Sequence, residues 1–275
     1  MLQEQTFDAD AVRINYVVGP PGGRPLVLLH GVTGRWQSWL PVMPDLAIRW
    51  RLYALDLRGH GRSGRVPGAY RVSDYAGDVI ALLRRQVGEP AVLVGHSLGA
   101  IVAIAVAAEV PEAVRAVVLE DPPLAAFRHQ PLRDRPEYGA FSASRDLARS
   151  GRTADELVVA LRDLQPDQDA VALRARATQL SQLDPDALTL ILEDRAKEGF
   201  DQDACLRRIA CPVLLLQGNP ALGGALEDVD ARRAAGFLTR GSYVRLPEVG
   251  HNIHAADQGQ PTTFRRLVHQ FLESL

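Results

Sequence analysis

The stretch Val92-Leu93-Val94-Gly95-His96-Ser97-Leu98-Gly99-Ala100 constrains what this chain can fold into more than any other. A short apolar run enters Gly-x-Ser-x-Gly, and a small-residue helical pattern leaves it through Ala100, Ala103, Ala105, Ala107 and Ala108. Strand, sharp turn and helix form the setting in which that pentapeptide carries chemistry. The turn holds the serine hydroxyl clear of the backbone on both sides. Glycine is required at 95 and 99 because a Cβ there would collide with the neighbouring strand or helix. The helix aims its free amides and the positive end of its dipole at the serine, where negative charge would develop. In an irregular loop the same five residues would mean little. Here the flanking pattern makes Ser97 the candidate nucleophile.

Short apolar runs recur along the chain with helical patterns between them. Ala11 to Val18 alternates apolar and polar residues and reads as an early antiparallel strand. Leu26 to Leu29, Arg51 to Leu55, residues 91–95, Ala116 to Glu120, Val213 to Gln217 and Ser242 to Leu246 read as further strands, several apolar throughout, as strands covered on both faces are. Helices are expected over Trp36 to Leu46, Val72 to Val87, Asp228 to Phe237 and Pro261 to Leu272. Strands alternating with helices imply a mostly parallel sheet with helices on both faces, an α/β fold. Residues 125–205 break the rhythm and hold no convincing strand. Thr153-Ala154-Asp155-Glu156 has the form of a capping box, and Asp184-Pro185 that of a cap followed by a first-turn proline. The reading is a core of residues 1–124 and 206–275, with a helical insertion at 125–205 over the C-terminal edge of the sheet, where such sheets bind ligands.

The composition excludes several classes of function. With 31 basic and 33 acidic residues the formal charge is −2, and no long run of one sign suggests a nucleic-acid partner. No apolar run reaches the roughly 20 residues of a membrane helix, so no membrane partner is expected. Met1 to Asp10 carries Glu4, Asp8 and Asp10 and no apolar signal core, which reads as a soluble cytoplasmic protein. Cys205 and Cys211 are the only cysteines and lack metal-ligand partners in sequence, so reduced buried thiols are expected and neither a metal nor a cofactor is. Nothing indicates an oligomeric state.

His30-Gly31, the turn Asp56-Leu57-Arg58-Gly59-His60-Gly61-Arg62-Ser63, the pentapeptide around Ser97 and Gly250-His251 stand in the order and spacing of the α/β-hydrolase superfamily. The chain resembles that superfamily over nearly its whole length. The resemblance implies an eight-stranded, mostly parallel sheet, and the 125–205 insertion is similar to the family's helical cap. It also implies a cap-bearing serine hydrolase acting on a small ester or lactone, without a cofactor, through a Ser-His-acid triad and an oxyanion hole. Carbon–carbon hydrolysis and perhydrolysis use the same parts. A non-catalytic small-molecule receptor on the same fold is the alternative of a different class. Dehalogenases and epoxide hydrolases carry aspartate where Ser97 stands.

Ser97 needs a base, and the base needs an orienting acid. His251, late in the chain after the last strand, resembles the family's base. His254 shares its loop, and His30 and His96 belong to motifs; these three, with Trp36, are candidates to line the substrate pocket. Trp36 and Trp39 could equally be packing residues. His269 reads as a residue of the closing helix, and His60 and His129 have no positional claim on the base role. The acid departs from the commonest family pattern, because no carboxylate follows Gly218 until Glu227 and Asp228. A subset of the family takes the acid from the end of the strand after the nucleophile helix, where this chain has Glu120-Asp121-Pro122-Pro123. Glu120 is preferred, since a charge at a buried strand end needs a partner such as an imidazolium. Asp228 and Asp230 follow, and then Asp121, which also reads as a turn residue before two prolines. The backbone amides of Leu98 and Val32 resemble the oxyanion-hole donors. The turn around Asp56, Arg58 and His60 reads as a scaffold.

Overall fold

The structure, a computed structural model, describes residues 1–124, 131–255 and 260–275. His129 and the first six residues of the expected insertion lie outside them. Eight strands form one sheet: β1 (Gln3–Ala9), β2 (Val12–Gly19), β3 (Arg24–Leu29), β4 (Trp50–Leu55), β5 (Ala91–His96), β6 (Val114–Glu120), β7 (Val213–Gln217) and β8 (Gly241–Arg245). Their spatial order is β1-β2-β4-β3-β5-β6-β7-β8. β1 and β2 pair antiparallel, as do β2 and β4, and every later pairing is parallel. The helices are α1 (Met43–Leu46), α2 (Val72–Leu82), α3 (Leu98–Glu109), α4 (Glu137–Arg149), α5 (Ala154–Leu164), α6 (Ala170–Ser181), α7 (Pro185–Leu192), α8 (Gln202–Arg208), α9 (Asp228–Phe237) and α10 (Pro261–Glu273).

One local reading of the sequence is corrected, and one strand stands where none was read. The single helix expected over Trp36 to Leu46 is instead a 3-10 turn at Trp36–Trp39 followed by the one-turn α1. Pro41 and Pro44 interrupt the pattern, because proline lacks the amide and crowds the preceding turn. β1 had no clear apolar signature. It buries only Phe7 and Ala9 and is held to β2 by seven facing residue pairs, so backbone pairing at a sheet edge decides it more than side-chain burial does.

The continuous apolar runs are explained by two cores, one on each face. Along β3, Val27 and Leu29 enter the core shared with α2 and α3, while Leu26 and Leu28 enter the one beneath Trp39, Phe264 and Val268. β5 and β6 alternate in the same way: Leu93, Val117 and Leu119 face the first core, and Val92, Val94, Ala116 and Val118 the second. Each such side chain contributes about 1.5–3 kcal/mol by leaving water. α3 lies against the sheet and is buried at ten of its twelve positions, so it is apolar all round where a surface helix would have a polar face.

Between β6 and β7 the described residues form helices and no strand. The Thr153 hydroxyl accepts from the Glu156 amide at 3.3 Å, and Glu156 accepts from the Thr153 amide at 2.8 Å, which starts α5. Asp184 caps α7, and its own amide donates to Gly59 at 2.7 Å. Tyr70 donates to Asp184 at 2.6 Å, and Arg35 donates to Gln182 at 3.3 Å. These bonds seat α6 and α7 on the loops that follow β3 and β4, at the C-terminal edge of the sheet. α8, which straddles the expected boundary at 205, packs on α3 and α9. Among the described residues no helix is long and apolar enough to cross a membrane.

Candidate active site

Ser97 forms the turn between β5 and α3 at φ 52° and ψ −113°. For a residue with a Cβ this conformation stores strain of about 1–3 kcal/mol, which the packing on either side must hold. The two glycines explain how that is possible. A Cβ on Gly95 would collide with the Gly99 carbonyl, and one on Gly99 with the Leu29 carbonyl, so β5, α3 and β3 approach backbone to backbone. The loop after β3 comes equally close: a Cβ on Gly31 would lie 3.1 Å from the Ser97 Cβ and 2.7 Å from His96 Nδ1. Val32 directly follows the glycine that packs against the serine. Leu98 is the first residue of α3, where a helix leaves its amides without internal acceptors.

His251 lies in the loop after β8. Its Nδ1 is 2.6 Å from Asp121 Oδ2, which places the ring proton on Nδ1 and leaves Nε2 unprotonated in the neutral ring. The backbone carbonyl of His251 accepts from His96 Nε2 at 3.0 Å, which ties the loop to the residue before the serine. Asp121 is fully buried, sits at φ 43°, and accepts two further bonds, from the amides of Gly218 at 2.9 Å and Ala225 at 2.6 Å. The carboxylate-free loop after Gly218 thus supplies amides that hold an acid from elsewhere.

Glu120 does not reach His251, which corrects the expectation that it orients that ring. The cause is the two-residue period of β6. Residue 120 falls on the face of Ala116 and Val118, toward the core of Trp39 and Phe264, whereas Asp121 leaves the strand through a left-handed turn. Glu120 instead accepts from the His254 backbone amide at 2.9 Å and lies 2.8 Å from His254 Nδ1. Burial by itself would raise its pKa, but the adjoining His254 ring and amide outweigh that and bring it below the usual carboxylate value. Asp228 and Asp230 are also elsewhere: Asp228 accepts from Gln217 at 2.7 Å, and Asp230 pairs with Arg233 at 2.7 Å.

The residues expected to line the pocket are mostly structural. His30 is fully buried; its Nδ1 donates to the Gly31 carbonyl at 2.7 Å and its Nε2 accepts from the Leu57 amide at 3.0 Å. Burial lowers its pKa to about 4, so the ring is neutral. His254 is held by Glu120 on one side and stacks on Trp39, ring centroids 4.2 Å apart, so Trp39 is a packing residue. The Trp36 indole reaches Glu4 on β1 at 3.4 Å, away from the serine. His96 stays at the site between His251 and His254, with burial lowering its pKa to about 3. The turn after β4 is a scaffold. Asp56 accepts from the amides of Trp36 and Arg62 at 2.8 and 2.9 Å, and Arg58 grips Asp78 through two bonds of 2.7 Å. Among the described residues no group of three His, Cys, Asp or Glu side chains could hold a metal.

A sequence model of the alpha/beta hydrolase family matches residues 26–264. The 2-(acetamidomethylene)succinate hydrolase of Mesorhizobium japonicum is 41% identical over 113 residues, so the chain spans less than half the length of that relative: 41% of each protein. The pyrrolizixenacetamide deacetylase of Xenorhabdus hominickii is 28% identical over 92% of both chains. Among solved structures, the N-formylmaleamic acid deformylase of Pseudomonas putida S16 superimposes with a TM-score of 0.77 at 24% identity, covering 93% of this chain and 96% of that one. With its sheet, its serine turn and a match over most of its length, the chain belongs to the alpha/beta hydrolase family.

Proposed function

We propose that this protein is a serine hydrolase that cleaves an ester or lactone through an acyl-enzyme on Ser97, with His251 as the base and Asp121 as the acid that orients it. The observation that carries this reading is the 2.6 Å bond from His251 to a buried carboxylate, on a loop tied to the residue before a strained serine. Nε2 of His251 takes the Ser97 proton as Oγ attacks the carbonyl carbon. The amides of Leu98 and Val32 hold the resulting oxyanion. The imidazolium, stabilised by Asp121, returns its proton to the leaving alkoxide as the carbon–oxygen bond breaks. Water then attacks the acyl-enzyme, giving one proton to His251 and releasing the carboxylic acid while Ser97 regains its proton. The helices at 131–192 act as the cap that shapes substrate choice. Two relatives are named for an acetamido compound and an acetamide, so an amide is the second bond to test.

The test is covalent labelling. A fluorophosphonate should modify the wild-type protein once, and Ser97→Ala should show no label and at least a thousandfold lower kcat/KM on a p-nitrophenyl ester. Labelling that persists in Ser97→Ala overturns the nucleophile assignment.

A further inference from the structure

The surroundings of Arg176 are explained by neither the fold nor the proposed triad. It projects from α6 to the loop after β3, where Nη1 donates to Thr33 Oγ1 at 2.5 Å and Nη2 to Ser144 Oγ at 2.7 Å. Both partners are neutral hydroxyls. Among the described residues no carboxylate pairs with it, whereas the buried Arg58 has Asp78 and a neighbouring Asp74. Burial lowers the Arg176 pKa to about 10, with no charged neighbour to restore it. A guanidinium partly withdrawn from water without a counter-charge is costly. Thr33 adds to that cost. It sits at φ 65°, an outlying conformation for a β-branched residue, with its amide bonded to His60 Nε2 at 3.3 Å. Two costly features meet at this contact.

The position indicates what would offset them. Thr33 directly follows Val32 and is two residues from Gly31, which lies against Ser97. Two residues of extended chain span at most about 7 Å. Arg176 therefore bonds to the loop that packs against Ser97, two residues beyond the glycine that touches it. Of the five N–H donors of the guanidinium, only the two bonds to hydroxyls are made among the described residues, and its planar fork matches a carboxylate.

We infer that Arg176 is the recognition point for a carboxylate on the substrate, which makes the preferred substrates dicarboxylic acids esterified or amidated at one end. This rests on the reading of Ser97 as an acyl-transfer nucleophile. The carboxylate takes no covalent part. It positions the acyl group and supplies the charge the arginine lacks.

The experiment compares p-nitrophenyl hemisuccinate with p-nitrophenyl butyrate, which differ by the terminal carboxylate. The wild-type ratio of kcat/KM, hemisuccinate over butyrate, should be at least ten. In Arg176→Gln that ratio should fall at least tenfold, chiefly through KM for the hemisuccinate. Arg176→Lys, which keeps the charge and loses the fork, should give an intermediate ratio. A wild-type ratio of one or less, or a ratio unchanged by Arg176→Gln in protein with a native circular dichroism spectrum, overturns the proposal. If Arg176→Gln does not fold, the wild-type ratio and the Arg176→Lys ratio still decide it. If the wild type hydrolyses neither ester, the nucleophile reading fails. Calorimetry of Ser97→Ala with monomethyl succinate then judges Arg176 alone: binding at least tenfold tighter than in Ser97→Ala/Arg176→Gln supports the site, and equal binding overturns it.

Discussion

Two adjacent carboxylates, Glu120 and Asp121, hold two different histidines, and their amide variants should separate orientation of the base from support of its loop. The oxygens of Asp121 accept from three donors: Gly218 N at 2.9 Å, Ala225 N at 2.6 Å and His251 Nδ1 at 2.6 Å. Asparagine offers one acceptor oxygen and one NH2, so in either orientation a donor faces a donor. The cheaper orientation keeps the oxygen on Ala225 and His251 and leaves the Gly218 amide unsatisfied, at about 1–3 kcal/mol. The substitution also removes the negative charge that stabilises the imidazolium, and the flipped orientation would turn its NH2 to His251 and disfavour the Nδ1–H tautomer. The corresponding change in the trypsin-like template costs about 10⁴ in kcat, and about 10²–10⁴ is expected for Asp121→Asn. Glu120→Gln should cost a similar 1–3 kcal/mol of stability, because the carboxylate serves the His254 amide and ring. Its kcat should fall by no more than about tenfold, since it touches no group in the proposed proton transfer. The assay is kcat on a p-nitrophenyl ester with urea unfolding of each variant, so that every rate is referred to the folded fraction. If Glu120→Gln loses more kcat than Asp121→Asn, the assignment of the acid is wrong.

Acid should destabilise the fold through His30, His60 and His96, whose pKa values burial lowers to about 4, 3 and 3. The unfolded chain takes up these protons near pH 6.5 and the folded chain does not, so stability falls as pH drops below 6.5. At about 1.4 kcal/mol per pH unit for each ring, the loss between pH 7 and 5 is on the order of 5 kcal/mol. A urea midpoint constant over that range would refute neutral burial of these rings. Ser97→Gly should raise Tm by about 2–4 °C while abolishing turnover, because glycine relieves the φ 52° strain, and Ser97→Ala should not. An equal Tm for the two variants would show that the elbow is unstrained.

Much of the fold is legible in the chain itself because its signals are local. Apolar runs of strand length, helical spacing between them, and glycines at 95 and 99 act over a few residues, and the observed strands after β1 and α2, α3, α9 and α10 start or end within three residues of the readings, the longer expected end of α2 apart. The capping box at Thr153 and the cap at Asp184 are legible for the same reason. Ser97 and His251 stand in motifs set by backbone geometry, so their places could be read before any contact was known. The carboxylate that meets His251 could not be read so directly, because it depends on which face of the sheet a strand end serves. Strand parity, had it been applied to β6, would have set Glu120 with Ala116 and Val118 and directed it away from His251. That Asp121 turns back at φ 43° to collect amides from Gly218 and Ala225 depends on residues about a hundred positions away. Arg176 is more distant still from any local signal. In sequence it is one arginine of a polar helix, and only the seating of α6 on the loop after β3 places its uncompensated charge beside Thr33. Local sequence determines which elements form and where Ser97 and His251, the proposed nucleophile and base, stand. Tertiary packing decides which carboxylate meets which histidine, because a buried charge takes its partner from whatever the fold brings within hydrogen-bond reach.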